Sequence, residues 1–355
     1  RSRTMFLITD EQVRSAISVR DCLEVVELAY RDLAAGEASD SPRERIFVGG
    51  GLKDPDVYSL SRLCGAVPRF GVAALRITSH RRGAARDPLD NHIILLFDVT
   101  NGRLSAILQG FTISGLRLGA TTALPAKYLA PAGASEIGVF GSGKQARTNL
   151  EGIAAVTSLK LVKVYSPNPE HCRLFAEEME KKLAIPVVPQ KQPTAVVKNS
   201  GIVLCASNAW EPVFDGKVIE EGALVISLRN SDQHKRPREF DDTTIARSSM
   251  IIVCSKRQME HDNQAELLEP LAKGLTSWEK IYELTDLVTH KVPARSSPKD
   301  IVFYHSNTGS GIQFAAVGYK VVEILKAKGG SQELPDEWFF TDLSSWWEQG
   351  YHPTP

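Results

Sequence analysis

The stretch EIGVFGSGKQARTNL, from Glu136 to Leu150, limits what this chain can become more than any other part of it. Apolar residues lead into two glycines, Gly141 and Gly143, and Ala146 follows where a helix-compatible run begins. A second apolar run, LKLVKVYS, comes after that helix. This order of strand, glycine turn, helix and strand is the context in which such a turn holds a dinucleotide. Gly141 permits the sharp turn, and Gly143 lets backbone approach a pyrophosphate. Ala146 lets the helix pack close to its strand, while the helix N-terminus faces the anion. The alternative is a strand-to-helix corner without a ligand, which requires fewer of these features together. The expected cofactor set is therefore Gly141, Ser142, Gly143, Lys144, Gln145 and Ala146, with Ser207 at the end of GIVLCAS. For Gln145 a helix-surface position is an equal alternative.

The second strand closes on Val164-Tyr165-Ser166. A site for a cofactor without a 2′-phosphate places an Asp or Glu here to accept from the ribose hydroxyls. This chain has Ser166, Pro167 and Asn168 instead. No carboxylate repels a 2′-phosphate, and Ser166 and Asn168 can donate to one, so the expected cofactor is NADPH, with NADH the alternative.

Around the turn the rhythm is strand, helix, strand: PEHCRLFAEEMEKKL reads as a helix, and IPVVPQ, GIVLCAS, GALVISL and SMIIVCS as strands. Such alternation implies a doubly wound parallel sheet. The N-terminal part reads differently. DEQVRSAISVRDCLEVVELAYRDLAAGEAS has helical spacing, with Asp10 or Ser18 as cap and an end near Gly36. Strand-like runs follow, and DVTNGRL carries an Asn-Gly hairpin signal. TISGLRLGATTALPAKYLA is a helix leading to a boundary marked by Pro131, Gly133 and Ser135. The final helix, TGSGIQFAAVGYKVVEILKAKG, is expected to return to the first part. The fold class is thus α/β: a Rossmann domain at 131–307 and a discontinuous α+β domain from 1–130 and 308–355.

Length and charge narrow the function. The 355 residues suit two domains. Lys+Arg and Asp+Glu both number 42, so no overall basic field collects nucleic acid or anionic lipid. No apolar run is long enough to span a bilayer. RSRTMFLITD is too short in its apolar part for a secretory signal, and Arg1 to Thr4 read as an addition ahead of Met5. The five cysteines are scattered and form no CxxC pair, which points to a reducing cytoplasm rather than a disulfide framework or zinc knuckle. His80, His92 and His305 form no ligand cluster, so no metal site is expected.

GVFGSGKQARTNLEGI, KVYSPNPEHCRLFAEEM and EPVFDGKVIEEGALVIS resemble the ornithine cyclodeaminase/mu-crystallin family, over roughly Ile8 to Leu325. The resemblance implies a Rossmann domain and a dimerisation domain built from both chain ends, hence a homodimer. It implies an NAD(P)-dependent reductase or dehydrogenase of a small imino or amino acid, with cyclic ketimines such as pyrroline- or piperideine-2-carboxylate as natural candidates. Two alternatives stay open: an ornithine cyclodeaminase that retains its NAD, and a non-catalytic crystallin-like dinucleotide-binding protein. Matched by motif, SPRERIF supplies Arg45, with Arg43 as register alternative, and ISGLRLGATTA supplies Arg117. ISLRNSDQHKRPREFDD supplies Asp232. AALRITSH places Arg76 where the family usually has lysine, and SGIQFAAV has Phe314 where it often has an acid.

The chemistry of that set is plain. Arginine grips a carboxylate in its plane, so Arg45, Arg76 and Arg117 are the expected substrate-binding residues, with Arg76 counted also as catalytic. Asp232, beyond a strand's carboxyl end, is the expected catalytic carboxylate, pairing with an iminium or ammonium nitrogen and moving its proton. The plainer readings are a solvated charge for Arg45 and Asp232, a surface pair for Arg76 and a buried ion pair for Arg117. The aromatic tail EWFFTDLSSWWEQGYHPTP reads as a packing or dimer-covering element, or as a lid.

Overall fold

Two periodicities share the N-terminal third. A short strand, β1 (Met5–Ile8), leads into two helices of 3.6-residue spacing, α1 (Asp10–Ala16) and α2 (Val19–Ala35). Thr9, not Asp10, caps α1, in a reciprocal box with Gln12. The Asp10 carboxylate is used elsewhere: it accepts from Thr112 N and Oγ1 at 2.6 and 2.7 Å. Ser18 does stand at the start of α2, tied to Asp21, and the helix stops at Gly36 in the left-handed region (φ 75°). The structure, a computed structural model, describes residues 5–49, 57–81, 91–232, 235–293, 295–329 and 331–350. Arg1 to Thr4, His234 and the final residues of the tail, 351–355, lie outside the described residues.

Alternation then takes over in β2 (Ser39–Asp40), β3 (Glu44–Val48), β4 (Tyr58–Val67), β5 (Val72–Arg81), β6 (Asn91–Asp98) and β7 (Leu104–Gln109). The β6–β7 hairpin closes through Asp98, whose carboxylate accepts from Thr100 and Asn101, with Gly102 at φ 71°. Helix α3 (Phe111–Leu129) follows and is buried on nearly every side, as expected for a helix between two layers.

The expected parallel sheet is present. Its strands are β8 (Glu136–Phe140), β9 (Leu161–Tyr165), β10 (Val187–Pro189), β11 (Ile202–Cys205), β12 (Leu224–Ser227), β13 (Ser248–Val253), β14 (Ile281–Glu283) and β15 (Ile301–His305). Between them run α4 (Lys144–Val156), α5 (Pro169–Leu183), α6 (Pro193–Val197), α7 (Asp242–Arg247), α8 (Lys256–His261), α9 (Ala265–Ala272) and α10 (Leu284–Val288). The order is β10-β9-β8-β11-β12-β15-β13-β14, every pair parallel. β15 was not anticipated from sequence, yet it occupies the centre between β12 and β13. Successive strands are added outward from β8 first toward β10 and then, from β11, on its other side, so the crevice beyond the carboxyl ends of β8 and β11 is where such sheets take their ligand.

The long C-terminal helix, α11 (Gly311–Lys328), packs on β4 and β5, β16 (Gln332–Leu334) adds antiparallel to β1, and a short helix, α12 (Ser344–Glu348), follows in the tail. The first sheet thus runs β16-β1-β7-β6-β5-β4-β2, with β3 also on β4. Arg103, between β6 and β7, lies 5.7 Å from the ring of Phe340 in the tail, beside a cavity of about 980 Å³, while Trp338 and Trp347 remain exposed.

The two layers meet at α3 and α4 backbone to backbone. A Cβ on Gly152 would lie 2.2 Å from Gly119 O, and one on Gly119 would lie 2.3 Å from Thr148 O. Gly152→Ala is therefore expected to destabilise the fold by roughly 3 kcal/mol in chemical denaturation, a cost typical of overpacking a rigid core. A loss below roughly 0.5 kcal/mol would mean that the helices slide apart freely.

Candidate active site

The glycine turn carries an observable mark of a ligand cradle. Gly141 has φ 109°, and a Cβ there would meet Ala206 O at 2.4 Å, so the turn is pressed against the end of β11. Gly143, by contrast, faces open space: nothing lies within 4 Å of its built Cβ. It is the N-cap of α4 and offers no side chain to the first amides of that helix. Unanswered helix-terminal N–H groups beside an open gap fit a pyrophosphate. Ala146 is fully buried, as close packing of helix on strand requires.

The other cofactor candidates fall around this gap in different ways. Ser142 Oγ donates to Ser166 Oγ at 3.0 Å, joining the turn to the end of β9. Asn168 is committed to capping: its Oδ1 accepts from Glu170 N and His171 N, with Pro169 opening α5. Lys144 reaches back to Phe111 O at 3.0 Å and lies over the Phe111 ring. Ser207 is held by Glu239, which accepts from its N at 2.6 Å and its Oγ at 2.7 Å.

Glu239 was invisible as a site residue in the sequence. It is fully buried and also accepts from Arg229 N at 3.1 Å and Ser227 Oγ at 3.2 Å. Burial pushes its carboxyl up, against the pull of those donors. One carboxylate therefore holds the chain beyond both β11 and β12.

Across the crevice, a cavity of about 360 Å³ gathers Arg43, Arg45 and Arg117 from the first layer and Gln145, Ser207 and Arg229 from the second. Arg117 is the most constrained of them. It is 9% exposed, its Nη1 donates to Gln313 Oε1 at 2.9 Å, and its guanidinium lies 5.0 Å from the Phe314 ring. Among the described residues no carboxylate pairs with it, so it is not in the buried ion pair that its apolar flanks suggested. Burial lowers it to about 10, which leaves it a cation at neutral pH. Gly309 passes directly over it, since a Cβ there would fall 2.9 Å from Arg117 Nη1. Gln313 in turn donates to Tyr30 Oη at 2.7 Å.

Arg76 approaches from behind. Its strand neighbours Leu63 and Ile94 are buried, so it lies on the covered face of the first sheet, beneath α11. Its guanidinium is 5.5 Å from Phe314, the same ring that Arg117 meets. Arg45 Nη1 donates to Asp232 Oδ2 at 3.3 Å, and Arg43 pairs with Asp262 at 2.7 Å. Asp232 stands behind Arg45 rather than in the cavity wall, and its Oδ1 accepts from Lys235 N at 2.9 Å. Asp262, Glu239, Gly309 and Gln313 went unnoticed in the sequence. The polar run SNTGSG before α11 was the one available signal for Gly309.

The sequence model of the ornithine cyclodeaminase/mu-crystallin family matches residues 3–329. The Δ1-pyrroline-2-carboxylate reductase of Bacillus cereus is 25% identical over 91% of this chain and 95% of its own length. The iminosuccinate reductase of Paracoccus denitrificans is likewise 25% identical, over 93% and 99%. The structure of Thermococcus litoralis Δ1-pyrroline-2-carboxylate reductase, in complex with NADH and L-proline, superposes with a TM-score of 0.83. It is 26% identical, over 93% of this chain and all of that one.

Two outcomes are expected from these contacts. Gly143→Val should leave the thermal midpoint within about 2 °C of wild type, because its Cβ meets only open space, yet abolish calorimetric NADH and NADPH binding. Undiminished binding in the folded variant would remove the turn from the cofactor site. Arg117→Met should cost no stability. The cation is disfavoured in the folded state, so its cost is in force at neutral pH and fades only as pH rises past about 10. Destabilisation beyond roughly 2 kcal/mol, the scale of an essential buried charge, would make Arg117 a structural residue.

Proposed function

The chain belongs to the ornithine cyclodeaminase/mu-crystallin family, and from that premise we propose that it is an NAD(P)H-dependent reductase of a small 2-imino acid, or a dehydrogenase in reverse. The observation that carries this reading is Arg117, a buried cation with no carboxylate partner among the described residues, lining one cavity with Gln145 and Ser207 of the dinucleotide layer. A site that holds such a charge ready awaits an anion.

When bound, a reduced nicotinamide supplies hydride to the imine carbon. The chain's own residues do the rest. Arg117, fixed by Gln313 and Phe314, grips the substrate carboxylate and sets its plane, with Arg45 as second donor. Arg76 supports Arg117 through their common ring. Asp232 is the carboxylate for the nitrogen: it pairs with Arg45 at 3.3 Å behind the cavity wall and is released toward the substrate when Arg45 turns to the substrate carboxylate. A guanidinium hardly gives up its proton near neutral pH, so proton handling falls to Asp232 rather than Arg76.

NADPH is the favoured cofactor, supported by Ser166 at the end of β9 in place of a carboxylate. Residues 1–130 with 308–355 form the substrate-binding and dimerisation domain and 131–307 the dinucleotide domain, a division supported by the return of α11 and β16 to the first sheet. Two copies form a homodimer, supported by exposed Ile46, Val48 and Ile93 on that sheet. Cytoplasmic residence is supported by five cysteines that are all free. Among the described residues, no helix is long and apolar enough to cross a membrane.

A panel of cyclic and acyclic 2-imino acids, followed by loss of reduced-nicotinamide absorbance with NADH and with NADPH, tests this reading. Oxidation of the cofactor by at least one of them is expected, with the higher kcat/KM for NADPH. Asp232→Asn should lower kcat by roughly 10²–10⁴ with cofactor affinity unchanged. A loss within a few-fold would return Asp232 to a loop charge.

A further inference from the structure

The loop that carries Asp232 is held at each end by a buried glutamate. At its start Leu228 N and Arg229 N donate to Glu239, at 3.4 and 3.1 Å. At its end the partner is Glu266, a fully buried residue in the first turn of α9 that the proposed chemistry does not use. Both Glu266 oxygens are committed to one residue: Ser231 N donates to Oε1 and Ser231 Oγ to Oε2. Ser231 Oγ also accepts from Ala265 N at 2.8 Å. A main-chain and a side-chain donor on one carboxylate fix a residue's orientation as well as its place. Ser231 is the residue immediately before Asp232, and Asp232 N in turn donates to Lys235 O at 2.8 Å.

Glu266 is itself anchored. Gln264, just ahead of α9, donates to Asn307 O at 2.7 Å and accepts from Asn307 Nδ2 at 3.0 Å, which ties the start of the helix to the chain beyond β15. His305, at the end of β15, sets Nε2 3.7 Å from Glu266 Oε1, with both side chains fully buried. Burial pushes the Glu266 carboxyl up, but His305 and Ser231 outweigh that push and hold it below the usual glutamate range. A buried carboxylate kept charged is stable only with its donors in place. The same connection meets the cavity arginines through Asp262, which pairs with Arg43 at 2.7 Å and comes within 3.7 Å of Arg45. Residues 262–266 therefore reach the cation Arg45 through Asp262, and the main chain beside its partner Asp232 through Glu266.

We propose that Glu266 is a positioning residue for Asp232: it fixes the main chain at Ser231, so that only the Asp232 side chain moves between Arg45 and the substrate nitrogen. This rests on the role proposed for Asp232. Glu266 does not line the cavity, so its effect falls on the step that Asp232 serves and not on dinucleotide binding. A misplacement of about 1 Å at such a group costs on the order of 100-fold in rate.

The test is a double-mutant cycle on whichever of iminosuccinate, 2-iminopropionate and Δ1-pyrroline-2-carboxylate wild type reduces fastest. Glu266→Leu should lower kcat roughly 100-fold while calorimetric affinity for the reduced cofactor stays within about 2-fold. Added to Asp232→Asn, the same substitution should cost less than about 3-fold more, because the group it positions is already gone. Glu266→Gln, which keeps an acceptor for Ser231 N, should recover most of the rate. Ser231→Ala removes one of the two attachments and leaves the buried acid in place; it should lower kcat about 10-fold and carries the cycle if Glu266→Leu fails to fold. Crystal structures of wild type and Ser231→Ala should show Asp232 displaced in the variant.

Full multiplication of the two losses would make Glu266 a merely structural residue, and an unmoved Asp232 in the variant crystal would overturn the inference directly. A near-normal Glu266→Leu enzyme beside a crippled Asp232→Asn would also overturn it, and would leave Asp232 in its role. Near-normal kinetics in Asp232→Asn would instead remove that role, and its positioning with it. If wild type reduces none of the imino acids, the place of Asp232 in the variant crystal alone decides.

Discussion

Gly119 and Gly152 let the backbones of α3 and α4 meet with no side chain between them. The consequence reaches well beyond packing. α3 carries Arg117 in its first half, and α4 carries the glycine turn at its start. Because the two helices touch main chain to main chain, the backbone that carries Arg117 is set relative to the glycine turn by contact between rigid backbones rather than by side-chain rotamers. Positioning of that quality is what hydride transfer requires, since small misplacements of the reacting carbon are costly in rate.

The charge design of the cavity follows from the same economy of partners. A buried arginine ordinarily needs an acid beside it. Here Arg117 receives an amide oxygen from Gln313 and an aromatic face from Phe314. Both ease burial without cancelling the charge. Phe314 does this for Arg76 as well, so a single ring takes a place where the family resemblance leads one to look for an acid. Arg43 and Arg45 are paired with their aspartates, whereas Arg117 has no carboxylate partner among the described residues.

What was legible in the sequence was local. The glycine turn, the strand that ends on Ser166 and the helix bearing Arg117 each announce themselves within about twenty residues, because turn sterics and hydrophobic period act over that range. Asn168 shows what such reading leaves out: its amide oxygen caps the helix that Pro169 opens, a use the sequence reading did not name, beside the amide N–H donors expected to serve a phosphate. β15 was missed because IVFYH is a short, wholly buried run without alternation, and only its neighbours β12 and β13 define it. Glu239, Asp262 and Gln313 act on residues far along the chain, Gln313 on Arg117 across 196 positions. No periodicity encodes such partnerships.

Glu239 ties together Ser207, beyond β11, and Arg229, beyond β12, through donors to one buried carboxylate. A shift of either loop changes the hydrogen bonds available to its counterpart. Occupancy of the two halves of the crevice is therefore thermodynamically linked, and linkage is reciprocal: whatever the dinucleotide does to affinity for the small acid, the small acid does equally to affinity for the dinucleotide. That coupling runs through a side chain buried beneath both loops.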